Sequence, residues 1–129
     1  MAVFRAQGDP LRVDDAQQDI KMRGELRGLM DGGLANVSSV AGAQMAYTAK
    51  RYCTTIVLQY RIKLVGWPDD IVFDDLSRIA GGERISRLLA LWKSGSMHFV
   101  PLTDPAELDA AKKDPLLVAP ARLHRGVAL

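Results

Sequence analysis

The stretch Ile62–Leu102, IKLVGWPDDIVFDDLSRIAGGERISRLLALWKSGSMHFVPL, carries the clearest alternation of elements in this chain of 129 residues. Its first residues, with Tyr60 and Arg61 before them (YRIKLV), alternate in polarity. Tyr60, Ile62 and Leu64 fall on one face and Arg61, Lys63 and Val65 on the other, the period of a half-buried strand. Gly66-Trp67-Pro68-Asp69-Asp70 is a turn, because Gly and Asp tolerate turn dihedrals and Pro68 cannot continue a central strand. Ile71–Phe73 follows as a short extended piece and Leu76–Ile79 as a helical turn. From Glu83 to Lys93 the apolar positions Ile85, Leu88, Leu89 and Trp92 recur at helical spacing, and Arg84, Arg87 and Lys93 stand on the outer face. Ser94-Gly95 closes that helix. Met97–Leu102 (MHFVPL) reads as a second strand, which Pro101 keeps near a sheet edge.

Outward from this unit, the spacing of Met22, Leu26, Leu29 and Met30 predicts a helix over Asp14–Asp31, with Asp14 and Asp15 suited to its start and Gly32-Gly33 to its end. Gly24 and Gly28 each lower its propensity by about 1 kcal/mol relative to Ala, so it depends on docking. A further helix is predicted over Val40–Gln59, from the stripe Met45, Ala49, Tyr52, Cys53, Ile56 and Val57. The β-branched run Thr54–Val57 also suits a strand, so extended structure could begin there. Asp104 or Thr103 can cap a short helix that has Pro105 at its first position and runs to about Lys113, where Asp114-Pro115 stops it. The expected organisation is an arm (1–13), one α+β domain (14–113) with helices packed on a short antiparallel sheet, and a C-terminal tail (114–129). That length suits one hydrophobic core.

Composition narrows the functional classes. Hydrophobic residues at 48% and charged residues at 25% place the chain among folded globular proteins rather than disordered ones. No apolar run approaches the roughly 20 residues of a spanning helix, and Met1–Pro10 lacks the apolar segment of a signal peptide, so a soluble, non-secreted protein is expected. The single cysteine, Cys53, cannot form an internal disulfide, and its neighbours Tyr52 and Ile56 suggest a buried thiol in a reducing compartment.

Catalytic chemistry finds no constellation. Cys53 would need a base beside it, and only His98 and His124 exist to supply an imidazole. Asp69, Asp70, Asp74 and Asp75 cluster after the turn, yet lack the spacing and glycine of a calcium loop, so a solvated acidic turn is the simpler account. Gly81-Gly82-Glu83 opens a helix without the lysine of a phosphate loop. No enzyme, cofactor or metal is expected.

Charge distribution says more than the net value of +2. From Gly32 to Pro68 there is no acidic residue, while Lys50, Arg51, Arg61 and Lys63 lie within that stretch. With Arg84, Arg87 and Lys93 these are the candidate contacts to the phosphates of double-stranded DNA, provided their faces converge; otherwise they are solubilising charges. Tyr47, Tyr52 and Tyr60 accompany the basic stretch, but their helical spacing suits packing. Trp67 can either lid the core or anchor a protein partner. The alternative to DNA is a protein-interaction or homo-oligomerisation domain that uses the apolar first helix and the C-terminal tail.

The same stretch, Ile62–Leu102, resembles the general transcription factor II-I repeat, a small α+β module. The shared features fall on Val65-Gly66-Trp67-Pro68, on Ile71-Val72-Phe73, on Leu76-Ser77, on Ile85, Leu88 and Leu89, and on His98-Phe99-Val100. Trp67 stands where that family usually has Leu and Leu76 where Pro is common, and a helix rather than a strand precedes Ile62. A similar Gly-Trp-Pro-Asp turn recurs in uncharacterised fungal proteins. The resemblance covers about a third of the chain and implies a module that contacts DNA or transcription proteins, in the nucleus rather than the cytoplasm.

Overall fold

A computed structural model describes the backbone of residues 8–121 and the side chains of residues 17–121. The chain order is α1 (Gly8–Ser38), α2 (Ala49–Arg51) running directly into a π-helix (Tyr52–Gln59), β1 (Ile62–Val65), α3 (Gly82–Ser94), β2 (His98–Pro101), α4 (Pro105–Lys113) and a 3-10 turn (Pro115–Val118). It is a small α+β domain. Among the described residues no helix is long and apolar enough to cross a membrane.

The alternation in the first strand becomes a two-stranded antiparallel sheet, β1 against β2, with Ile62 opposite Pro101, Lys63 opposite Val100, Leu64 opposite Phe99 and Val65 opposite His98. Ile62, Leu64 and Phe99 face the core, and Val65 and His98 face outward. Pro101 has no N–H to donate, and the ladder resumes one residue later, where the Leu102 N–H donates to Arg61 O at 2.8 Å. Gly66 then turns the chain with φ +94°, and a Cβ there would lie 2.1 Å from Ser96 O, so both the dihedral and the approach demand glycine.

Trp67 lies inside this turn. It is 5% exposed, its indole N–H donates to Ile71 O at 2.8 Å, and its ring meets Phe73 edge-on with centroids 5.1 Å apart. The ring therefore lids the core; as an anchor presented to a partner, the other use expected for it, it would need an accessible face that it does not have. Phe73 is the hub of this cluster, since Tyr52 and Tyr47 also stack around it, at 5.5 and 6.1 Å. Met30 Sδ accepts from the Tyr47 hydroxyl at 3.7 Å and joins the cluster to α1.

Several boundaries differ from the periodicity reading. Helix α1 starts at Gly8 and runs to Ser38, so residues 8–13 of the expected arm are helical and Gly32-Gly33 does not end it. Its apolar positions Leu26, Met30 and Leu34 are buried where it packs on α3 and β2, and this tertiary contact carries the helix through its glycines. Residues 1–7 lie outside the described part.

The second helix begins at Ala49 instead of Val40. Ser39 and Gly42 adopt positive φ (59° and 78°), and the irregular segment that follows packs on α1, where Asp31 Oδ1 accepts the Met45 N–H at 2.8 Å. Ala43, Met45, Ala46 and Tyr47 are buried there, so Met45, the first position of the predicted stripe, belongs to a buried loop, while Ala49, Tyr52, Cys53, Ile56 and Val57 are helical and buried as expected. Thr48 caps the true start, its hydroxyl accepting from Arg51 N. The β-branched run Thr54–Val57 remains helical but widens, with the Tyr60 N–H donating to Thr55 O, five residues back, at 3.1 Å.

Beyond α4, residues 114–121 join the fold instead of forming a tail. Asp114 caps the 3-10 turn through Leu116 N, that turn packs on α2, the π-helix and α4, and Ala121 is buried. Arg122, His124 and Arg125, also assigned to the tail, lie outside the described residues.

Side chains of α1 clamp the loop between the sheet turn and α3. Arg23 Nη1 donates to the carbonyls of Leu76 and Ile79, and Arg27 Nη2 lies 3.1 Å from Asp75 Oδ1. Asp19 approaches Gly82 so closely that a Cβ there would meet its Oδ1 at 2.1 Å, which puts a carboxylate at the positive end of α3.

Candidate nucleic-acid interface

The seven basic side chains singled out by charge patterning are distributed over different elements, and the fold treats them in two ways. Three are spent on acidic partners. Lys63 Nζ, on β1, sits 3.0 Å from Glu107 of α4. Arg87 Nη1, on α3, sits 2.6 Å from Asp70 in the turn. Lys93 Nζ, in the last turn of α3, sits 2.7 Å from Glu25 of α1. A phosphate would have to displace a carboxylate at each of these, so their pull on a polyanion is reduced.

The acidic turn that follows Trp67 is thus largely occupied. Arg87 beside Asp70 holds that carboxyl below the usual carboxylate range, and the guanidinium is correspondingly pushed up. The Ser77 hydroxyl, followed by the Ser77 N–H and Arg27, holds Asp75 below that range as well. Among the described residues no group of three or more His, Cys, Asp and Glu side chains could hold a metal ion.

Four candidates carry no acidic partner among the described residues. Arg84 donates to Ala80 O at 3.0 Å, and Arg61, in the left-handed region at φ 57°, donates from Nε to Leu58 O at 2.9 Å. Both remain exposed. Lys50 and Arg51 project from the first turn of the continuous helix that begins at Ala49, and both are exposed. Two cations at a helix start oppose the macrodipole, at a cost of about 0.3–1 kcal/mol each, so they do not serve the stability of that helix.

The structure adds two residues that charge patterning passed over. The buried Cys53 thiol donates to Ala111 O at 3.3 Å, which joins the Ala49 helix to the C-terminal turn of α4. Lys112 and Lys113 follow Ala111 immediately and are exposed without an ion-pair partner among the described residues. The nearest signal in sequence was the pair Lys112-Lys113 at a predicted helix end, where it reads as a dipole complement. Burial pushes the Cys53 thiol up, and the Asp114 charge adds to this, which keeps the sulfur a protonated core group.

His98 is exposed, with Nδ1 2.9 Å from Gly95 O, whereas Cys53 is buried, its thiol bonded to Ala111 O of α4. Comparison with protein-family models, with curated proteins and with solved structures finds no significant match.

Proposed function

We propose that this chain is a non-enzymatic binding module that associates with duplex DNA through its phosphates, with Lys50, Arg51 and Arg61 as the principal contacts and Lys112 and Lys113 beside them. The observation that carries this reading is the helix starting at Ala49, which exposes Lys50 and Arg51 and contains no acidic residue. Its cations have no counter-charge among the described residues and stand where they disfavour their own helix. Phosphates at that position would meet both the side-chain charges and the positive helix end. The resemblance of Ile62–Leu102 to the general transcription factor II-I repeat supports a nuclear, transcription-related setting. Arg84 can add a contact, whereas Lys63, Arg87 and Lys93 are secondary because each is already paired.

Fluorescence anisotropy of a labelled duplex, repeated across a salt series, tests this. Binding is expected to weaken steeply with salt, and Lys50→Ala with Arg51→Ala is expected to lower the slope of log K against log salt by about 2. Absence of binding near physiological salt at protein concentrations above about 100 μM would overturn the reading.

A second reading, association with a protein or with another copy of the chain, is favoured by one observation. Leu117 is 63% exposed and its neighbour Leu116 is also exposed, on the 3-10 turn. The first helix contributes less than expected, because Leu26, Met30 and Leu34 are already buried internally, although Ile20 is 70% exposed. Salt-insensitive self-association that Leu117→Asp abolishes would support this alternative; a monomer by light scattering would count against the oligomer.

A further inference from the structure

A cleft of about 380 Å³ opens between β1, the π-helix, α4 and the 3-10 turn. That volume lies within the range of about 300–1,000 Å³ typical of small-molecule sites. Val57, Leu64, Leu102, Ala110 and Val118 supply apolar walls, and three polar side chains reach the same space: Tyr52, Lys63 and Glu107. The Tyr52 side chain is the unusual one. It is 1% exposed, and its oxygen accepts the Leu64 N–H at 2.8 Å, but its own O–H has no acceptor among the described residues.

A buried hydroxyl left without an acceptor is costly, and the missing partner is one that the cleft can admit. Burial pushes the phenol well above its ordinary pKa, so the group is a donor at all working pH values. Lys63 lies 3.0 and 3.2 Å from the two oxygens of Glu107, and its ammonium has three donors to distribute. This pair cancels itself, so either sign of ligand charge would meet a like charge as well as an opposite one. The backbone also departs from a regular α-helix at this wall, since Tyr52 and Val57 both belong to the π-helix. Such segments occur frequently at functional sites.

We propose that this cleft binds a small neutral apolar molecule carrying one carbonyl-type oxygen, which accepts the Tyr52 O–H while the apolar body packs against Leu64, Ala110 and Val118. The site is independent of the DNA reading, whose principal contacts Lys50, Arg51 and Arg61 lie outside the cleft.

The probe is 6-propionyl-2-dimethylaminonaphthalene, a neutral fluorescent ketone, titrated into the intact chain. Saturable binding of one molecule per chain with a blue-shifted emission is expected, together with amide chemical-shift changes concentrated at Leu64, Ala110 and Val118. Ala110→Trp should fill the cleft and reduce affinity at least about tenfold. Tyr52→Phe should weaken binding about fivefold, the effect of one ordinary hydrogen bond. Absence of saturable binding, or shift changes located away from the cleft, would overturn the proposal whether or not the variants fold. So would an Ala110→Trp protein of unchanged circular dichroism that binds the probe as well as the parent.

Discussion

The Trp92 indole lies against the bare Cα of Gly33, so close that a Cβ at position 33 would stand 2.6 Å from Cζ2. Helices α1 and α3 meet at this contact, and the same indole stacks edge-on against Phe99 of β2, centroids 5.7 Å apart. One missing methyl group thus sets how closely the long helix approaches the unit around the sheet. Gly24 and Gly28, on the same helix, have nothing within 4 Å of a built Cβ.

Glycine-to-alanine substitutions along α1 should therefore change sign with position. Gly24→Ala and Gly28→Ala are expected to stabilise by about 1 kcal/mol each, because helix propensity acts unopposed. Gly33→Ala should lose about 1 kcal/mol net, the propensity gain being outweighed by about 1–3 kcal/mol of overpacking against the indole. Chemical denaturation of the three variants measures this; stabilisation by all three would mean that the interface yields.

Gly66→Ala faces two obstacles at once, a φ of +94° and the Ser96 carbonyl. A loss of at least about 2 kcal/mol is expected in the same assay. A near-neutral result would show that the turn re-forms with another dihedral.

Trp67→Leu restores the residue that the resembling repeat usually carries, but removes the indole donor to Ile71 O and the edge-on contact with Phe73. Stability should fall by about 2 kcal/mol or more. DNA affinity at temperatures where the variant is folded should be unchanged. Loss of DNA affinity in a fully folded variant would mean that the turn around Trp67 shapes the DNA-binding surface.

Asp75 offers a pH signature. Its folded-state pKa is depressed, chiefly by the Ser77 hydroxyl, so the bound carboxylate contributes stability that is complete above the unfolded value of about 4 and lost as pH falls through the folded value. Midpoints of denaturation measured from pH 7 down to pH 3 should drop. Asp75→Asn should lower the plateau at neutral pH and flatten the acid limb. An unchanged limb would place the acid sensitivity elsewhere, with Asp70 beside Arg87 as the next candidate.

Much of the architecture is determined by local pattern alone. Ile62 and Leu64 alternate with Lys63 and Val65, Ile85, Leu88 and Leu89 repeat at helical spacing, and Asp104-Pro105 announces a helix start, because each depends on residues within one or two turns of chain. The absence of acids between Gly32 and Pro68 is equally plain in the sequence. Three other matters were decided only by tertiary structure. Val40–Tyr47 is a turn and loop, not a helix, because Gly42 turns the chain at φ 78° and α1 offers Asp31 to the Met45 N–H and a surface for Met45 and Tyr47, which apolar spacing cannot distinguish from a helix. Which cations are spent depends on Glu25, Asp70 and Glu107, residues distant in sequence from Lys93, Arg87 and Lys63. The bond from the Leu64 N–H to the Tyr52 hydroxyl arises because a helix residue and a strand residue meet in space, and sequence records the two residues but not their separation. Periodicity carries information over a few residues, whereas ion pairing and burial are set by how the elements close on one another.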